Sequence, residues 1–385
     1  MKNIAILGST GSIGTSTLDI CARYPELYRP VALAAGRNLE VALQQCQQWR
    51  PKYISMADEE TAAKLKTLLG ENTDTEVLYG TAGSVTVATL KEVDFVVSAI
   101  VGVAGLEATY EAVLAGKTIG LANKEALVAA GELIIAAAKK NNVALLPIDS
   151  EHNAIHQCMR GGTAAEVKQI WLTASGGPFR NTPLDEFAKI TPAQALKHPT
   201  WVMGQRITVD SATMLNKGLE IIEACRLFNL PPSKVRVTIH PQSTVHSLVE
   251  YIDGSILAQI SVTDMRLPIL YALAYPDRIA SELTFDLATL SQLDFQQPDL
   301  DRFPCLRLSY EAAEKSQAHC IALNASDEIA VAAFLAGNLP FLGIPRTIEE
   351  VLARTPASSP ATIADVLALD QQARALAREI IAAEL

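Results

Sequence analysis

Asn3-Ile-Ala-Ile-Leu7 runs directly into Gly8-Ser-Thr-Gly11-Ser-Ile-Gly14. The apolar run reads as a buried strand, and the glycine-spaced run after it reads as a turn that opens a helix. Glycines at such a turn let the backbone double back tightly and approach a pyrophosphate. The pyrophosphate then rests on the N–H groups of the helix N-terminus. The spacing is G-x-x-G-x-x-G, not the commoner G-x-G-x-x-G, so a plain glycine-rich turn is the competing reading. Its strand–turn–helix context favours dinucleotide binding.

Working outward, further short apolar runs follow at Val31–Ala35, Tyr53–Met56, Phe95–Ala99, Thr118–Leu121 and Ala144–Ile148. Helical patterns such as Gly105–Ala115 and Glu125–Lys140 separate most of them. This alternation predicts a parallel, doubly wound sheet over residues 1–150. Ligands on such sheets lie beyond the carboxyl ends of the strands. Polar clusters stand at those ends: Gly8–Gly11, Gly36-Arg-Asn38, Asn123-Lys-Glu125 and Asp149-Ser-Glu151. The second strand ends in Arg37, with no acid to hold a ribose 2′-hydroxyl. An arginine there suits a 2′-phosphate, so NADPH is expected over NADH.

Residues 151–274 have a different texture. Runs at Gln169–Thr173, Val235–Ile239, Thr244–Val249 and Ser255–Ser261 predict a second sheet in a central α+β domain. Residues 275–300 are rich in Pro, Asp and Gln and read as a linker. Residues 301–385 are rich in Ala and Leu with helical periodicity, and predict a C-terminal helical bundle. Thr347-Ile-Glu-Glu350 reads as a capping box at a helix start.

The chain has 385 residues, 49% hydrophobic and 19% charged, with a net charge of -10. Length and composition predict more than one domain and sizeable cores. The acidic balance argues against nucleic-acid and anionic-membrane surfaces. Six scattered cysteines, none in a C-x-x-C pair, read as reduced thiols. With no signal-like or membrane-spanning run evident, a cytoplasmic protein is expected.

Several residues carry chemistry. Asp149 and Glu151 flank Ser150 at a strand end. In Ser211-Ala-Thr-Met-Leu-Asn-Lys-Gly-Leu-Glu220, Asn216 and Glu220 fall on one helix face with Lys217 beside them. Oxygen donors without thiolates suit Mg²⁺ or Mn²⁺, with Co²⁺ as a further candidate. Solvated acids and helix caps are the ordinary alternative. Thr173-Ala-Ser-Gly-Gly-Pro-Phe179 offers Ser175 and a nest of N–H groups for an anion. With Ser211, Asn216 and Lys217 it would form a phosphate pocket. Lys197-His-Pro-Thr-Trp-Val-Met-Gly204 combines His198 with the apolar Trp201 and Met203, the composition of a lid over a ligand. A core anchor is the other reading of Trp201.

Taken together, GSTGSIG, AAGRN, LANKEALV, PIDSEHNAI, ASGGPF, KHPTWVMG, DSATMLNKGLEIIEA and the HPQS run at 240–243 resemble the 1-deoxy-D-xylulose 5-phosphate reductoisomerase family, motif by motif and in order. The resemblance implies that Thr10, Gly11, Ser12, Ile13, Gly36, Arg37, Asn38, Asn123, Glu125 and Gly204 contact NADPH. It implies that Asp149, Glu151 and Glu220 hold one divalent cation. It implies that Lys124, Ser150, Glu151, Ser175, His198, Ser211, Asn216, Lys217 and Glu220 contact substrate, with Lys124 and Glu151 in catalytic roles. The implied reaction isomerises a small sugar phosphate, 1-deoxy-D-xylulose 5-phosphate, by retro-aldol and aldol steps. Reduction then gives 2-C-methyl-D-erythritol 4-phosphate, on the non-mevalonate isoprenoid route. The implied assembly is a homodimer. A plain NADP-dependent dehydrogenase would explain the first half of the chain equally well but needs no convergent carboxylates. A non-catalytic NADP-binding regulator would need no Asp149, Glu151 and Glu220 set, and with NADPH bound its second pocket would stay empty.

Overall fold

The computed structural model describes residues 1–71, 73–198, 200–201 and 203–384. Seven strands form the first sheet: β1 (Lys2–Leu7), β2 (Tyr28–Ala34), β3 (Tyr53–Met56), β4 (Glu76–Tyr79), β5 (Phe95–Ser98), β6 (Thr118–Leu121) and β7 (Leu145–Pro147). The helices between them are α1 (Ser12–Arg23), α2 (Leu39–Trp49), α3 (Glu59–Leu69), α4 (Gly80–Thr89), α5 (Leu106–Leu114) and α6 (Lys124–Lys140). Next come α7 (Ser150–Met159), β8 (Val167–Ala174), the single turn α8 (Pro192–Ala195), α9 (Gln205–Ala212) and α10 (Leu215–Phe228). Strands β9 (Val235–Ile239), β10 (Val245–Tyr251) and β11 (Ile256–Ile260) precede α11 (Arg266–Ala274), α12 (Pro304–Lys315), α13 (Gln317–Leu335), α14 (Gly343–Arg354) and α15 (Ile363–Glu384).

Contacts divide the chain into two units. The first comprises residues 1–126, 134–153 and 264–282; the second comprises 127–133, 154–263 and 283–385. The first unit holds an all-parallel sheet in the order β4-β3-β2-β1-β5-β6-β7. Strand order reverses between β1 and β5, which is where a doubly wound sheet opens a crevice. Its core is built on Ile4, Ile6, Leu33, Ile54, Phe95 and Val97. The sequence placed 264–274 with the second sheet and 275–282 in a linker, yet this stretch packs in the first unit. Ile269, Leu270 and Leu273 of α11 complete that core, and Lys2 Nζ donates to Leu273 O at 2.6 Å. A return over 260 residues of chain leaves no local trace.

The second unit carries a mixed sheet in the order β11-β10-β8-β9, with only β8 and β9 parallel. One continuous core joins this sheet to the C-terminal helices, through Ile170, Leu172, Val237, Leu306, Phe334 and Phe341. The helical region therefore shares its apolar interior with the sheet. Helix α13 is long and apolar enough to cross a membrane by length and composition, but 72% of its most apolar window is buried in the fold. The middle of α6 breaks from helical geometry at Ala130 (φ −132°, ψ 26°). The carbonyls of Val128 and Ala129 there accept from Gln317 Nε2 at 2.7 and 2.8 Å, which satisfies acceptors that the break frees.

One local reading differs from the structure, and one strand has no counterpart in the sequence pattern. Thr347 does not start a helix, because α14 begins four residues earlier at Gly343. Pro345 lies in its first turn, where proline is tolerated. Strand β4 was not legible in the sequence: it is a four-residue edge strand, only half-buried, with no sustained apolar run.

Candidate functional site

The glycine turn sits at the carboxyl end of β1. Gly8 and Ser9 N–H both donate to Ala34 O, at 2.8 and 2.9 Å, pinning the turn to the end of β2. Gly8 has φ +87°, and a Cβ there would lie 2.4 Å from Ala99 O; only glycine fits. Gly14 has no such dihedral demand, but its Cβ would lie 2.3 Å from Gly8 O and 2.5 Å from Ser9 Cα. The turn and the first coil of α1 thus touch backbone to backbone. Gly11 is the N-cap of α1, no side chain caps the helix, and its first turn holds no acid. The positive end of the helix dipole is left for an anion. Thr10, Gly11, Ser12 and Ile13 all lie on this turn, with Gly11 and Ser12 exposed.

At the end of β2, Gly36, Arg37 and Asn38 are exposed. Asn38 N-caps α2, accepting from Val41 N–H at 3.2 Å. Arg37 Nε pairs with Asp58 at 2.7 Å. Asp58 itself N-caps α3, and the Thr61 N–H and Arg37 together hold its carboxyl down at about 2. The sequence showed no acid in β2. The structure supplies one from beyond the end of β3, twenty-one residues away, where it orients the guanidinium.

At the end of β6, the Asn123 side chain is spent on the scaffold. Its Oδ1 caps α6 through Ala126 N–H at 3.3 Å, and its Nδ2 donates to Gly102 O at 3.0 Å and to Ile100 O. That bracing sets Lys124 and Glu125 in the first turn of α6. The buried Lys124 reaches Asp149, beyond β7, with Nζ 2.7 Å from Oδ2. Asp149 and Glu151 offer carboxylate oxygens within 4.8 Å of one another. His152 Nδ1 lies 3.9 Å from Asp149, and Ser150 Oγ donates to Glu151. Two hard oxygen donors balanced by one ammonium is a donor set that fits a divalent cation such as Mg²⁺.

The second unit gathers the other expected residues. Beyond β8, Gly176 and Gly177 adopt φ +80° and +66°, and Gly177 N–H donates to Ser175 Oγ at 3.2 Å. A Cβ on Gly177 would lie 2.6 Å from Ser211 O, so this turn abuts the end of α9. His198 Nδ1 accepts from Thr200 and Trp201 N–H at 3.1 and 2.8 Å. Two N–H donors on Nδ1 assign the ring proton to Nε2, which then donates to Ser175 Oγ at 3.1 Å. Met214 at φ 63° reverses the chain from α9 into α10. On the first turns of α10, Asn216 Nδ2 donates to Glu220 Oε1 at 2.7 Å, and Lys217 Nζ pairs with the same buried carboxylate. Serine and histidine thus meet on one side of this unit, and asparagine, lysine and glutamate meet on α10.

Of the expected lid, Pro199 and Val202 lie outside the described residues. Trp201 and Met203 are half-buried, and the Trp201 ring lies 6.3 Å from that of His246. Gly204 is exposed at φ −61° with open space around its missing Cβ, a conformation any residue adopts.

A parallel sheet whose switch point carries an uncapped glycine turn defines a dinucleotide-dependent α/β oxidoreductase of the Rossmann class. Family profiles described as 1-deoxy-D-xylulose 5-phosphate reductoisomerase match residues 4–131, and those of its C-terminal domains match 145–228 and 260–376. The reductoisomerase of Solibacter usitatus is 52% identical, covering 99% of this chain and 97% of that protein. That of Dechloromonas aromatica is 50% identical, over 99% and 98%. A solved reductoisomerase from Zymomonas mobilis in complex with NADPH superposes with a TM-score of 0.93 at 43% identity, over 99% of both chains. Another, in complex with NADPH, fosmidomycin and magnesium, gives 0.93 at 42%, over 99% and 98%. The chain belongs to the 1-deoxy-D-xylulose 5-phosphate reductoisomerase family.

Proposed function

We propose that this chain converts 1-deoxy-D-xylulose 5-phosphate to 2-C-methyl-D-erythritol 4-phosphate, with NADPH as reductant and a divalent cation as electrophile. The observation that carries the reading is the full-length match to a reductoisomerase in complex with NADPH, fosmidomycin and magnesium. The uncapped α1 N-terminus and the Gly8–Gly14 turn fit a pyrophosphate, and Arg37, steered by Asp58, fits the 2′-phosphate that distinguishes NADPH. Asp149 and Glu151, with Glu220 as the third ligand, suit Mg²⁺ or Mn²⁺. When bound, the cation supplies positive charge to polarise a carbonyl, and NADPH supplies the hydride.

The remaining chemistry belongs to the chain's own residues. Lys124 Nζ offers protons beside Asp149 and neutralises its charge. Glu151, bonded to Ser150, is the carboxylate placed to hold or release a proton. Ser175, His198 Nε2–H, Ser211, Asn216 and Lys217 hold the substrate phosphate, remote from the reacting carbons. That grip fixes the carbon chain for both the rearrangement and the reduction. Trp201 and Met203 close over the bound substrate and exclude water, and a change in Trp201 fluorescence on adding substrate tests this.

The assembly is a homodimer. The edge strand β11 presents Ile256 and Leu257 at 52% and 40% exposure, an apolar edge that pairing with a second copy covers. The cytoplasm suits six reduced cysteines, and burial pushes the thiols of Cys21, Cys46, Cys225 and Cys320 up to about 12.

The deciding experiment is NADPH oxidation with 1-deoxy-D-xylulose 5-phosphate, with and without EDTA. Substrate-dependent oxidation that EDTA abolishes and Mg²⁺ restores is expected. Oxidation indifferent to EDTA would overturn the metal role, and none at all would overturn the reaction.

A further inference from the structure

Arg206 is the second residue of α9 and sits at the centre of a charged cluster inside the second unit. Its Nη1 donates to Glu328 at 2.9 Å, and its Nη2 to Asn324 and Asp327 at 2.8 and 3.1 Å. Its Nε lies 3.5 Å from Asp210, one helical turn on. Asp210 and Asp327 are buried, and Glu328 continues to Arg374 of α15 at 2.7 Å, which in turn holds Asp370 at 2.6 Å. One guanidinium therefore ties α9 to α13, and through Glu328 to α15. Buried charge clusters of this kind add little net stability over apolar packing of the same volume. What a planar, forked donor does supply is a fixed orientation.

Orientation matters here because α9 has only eight residues. A helix that short does not hold its direction by its own hydrogen bonds. At its far end stands Ser211, whose carbonyl abuts Gly177 of the turn that carries Ser175. Beyond Ser211 the reversal at Met214 leads directly into Asn216 and Lys217. A shift of α9 would therefore move both sides of this cluster.

We infer that Arg206 is a positioning residue for substrate: it locks α9 onto α13 and so holds Ser211, Asn216 and Lys217 where the substrate phosphate binds. The inference rests on the proposal that those three residues take the phosphate. Arg206 itself lies outside the residues assigned to substrate, cation or NADPH. Burial pushes the Asp327 carboxyl up even with Arg206 beside it, and loss of the guanidinium leaves the cluster without its central cation.

The test is steady-state kinetics on Arg206→Met, Arg206→Lys and Glu328→Gln, with Lys217→Met as reference and circular dichroism to confirm folding. Arg206→Met is expected to raise KM for 1-deoxy-D-xylulose 5-phosphate about tenfold and to leave KM for NADPH within about twofold. Arg206→Lys should recover part of that loss, and Glu328→Gln, which keeps shape and removes one charge, should give a smaller rise of the same kind. If Lys217→Met raises the substrate KM while all three cluster variants leave it unchanged, the positioning role is wrong and the phosphate reading stands. If Arg206→Met raises it and Lys217→Met does not, the phosphate assignment fails while the role of Arg206 in substrate binding remains. An Arg206→Met protein too unstable to assay passes the decision to Glu328→Gln, whose unchanged substrate KM would overturn the inference.

Discussion

Gly14→Ala is a sharp probe of the turn on which the cofactor reading depends. Gly14 lies inside α1, where alanine ordinarily stabilises a helix by about 0.5–1 kcal/mol over glycine. On propensity alone the substitution would help. The structure reverses the sign. A Cβ at Gly14 would sit 2.3 Å from Gly8 O and 2.5 Å from Ser9 O, and both are backbone atoms with no side-chain freedom to retreat. Relief requires α1 to move away from β1 by roughly an ångström, against a turn pinned by two hydrogen bonds to Ala34 O. Overpacking of this kind costs about 1–3 kcal/mol, and backbone-on-backbone contact places it at the upper end. After the propensity gain, a net loss of about 2 kcal/mol is expected. The same displacement misplaces the N–H groups at the start of α1, so NADPH affinity should fall as well. Gly11→Ala is the comparison: its Cβ would lie 3.4 Å from Gly8 O, an ordinary contact, so its cost should be only the roughly 0.5–1 kcal/mol of placing alanine at an N-cap. Urea unfolding followed by circular dichroism gives the stabilities, and fluorescence titration gives NADPH affinity. A Gly14→Ala protein as stable as the parent, with unchanged NADPH binding, would refute the close-approach argument.

Arg37→Ala should raise KM for NADPH far more than for NADH, by the loss of a charged hydrogen bond of about 1.5–3 kcal/mol; equal effects on the two cofactors would sink the 2′-phosphate role. Asp149→Asn should weaken Mg²⁺ or Mn²⁺ binding in calorimetry while NADPH binding stays intact, and unchanged metal affinity would count against the carboxylate set. Glu250 is held down at about 2 by hydrogen bonds from Lys168, Gln169 and Trp171, below its ordinary 4.5. Its stabilisation is therefore complete above pH 4.5 and fades as pH falls towards 2, so the gap in urea midpoint between wild type and Glu250→Gln should close across that window; a gap independent of pH would contradict this. Light scattering at micromolar concentration should give the mass of a dimer, and a monomer mass would refute the pairing of β11 edges.

What the sequence determined by itself was local. Apolar runs of strand length, helical periodicity between them and glycines at positions 8, 11 and 14 are properties of consecutive residues, and they specified six of the seven strands of the first sheet and all four of the second. The residue types at the strand ends pointed to a dinucleotide and a hard cation, with ordinary turns, caps and solvated acids as the alternatives; the reaction itself came from the resemblance to the reductoisomerase family. What only the tertiary structure decided was every arrangement that depends on residues far apart in the chain. Helix α11 returns to complete a core begun at Ile4, and no periodicity within 266–274 says which sheet it will cover. Asp58 comes to Arg37 from the N-cap of α3, and Asn324, Asp327 and Glu328 come to Arg206 from more than a hundred residues downstream. The physical reason is that backbone propensity and hydrophobic pattern act over a few residues, whereas which charged side chain is buried against which is settled only when the helices that carry them pack.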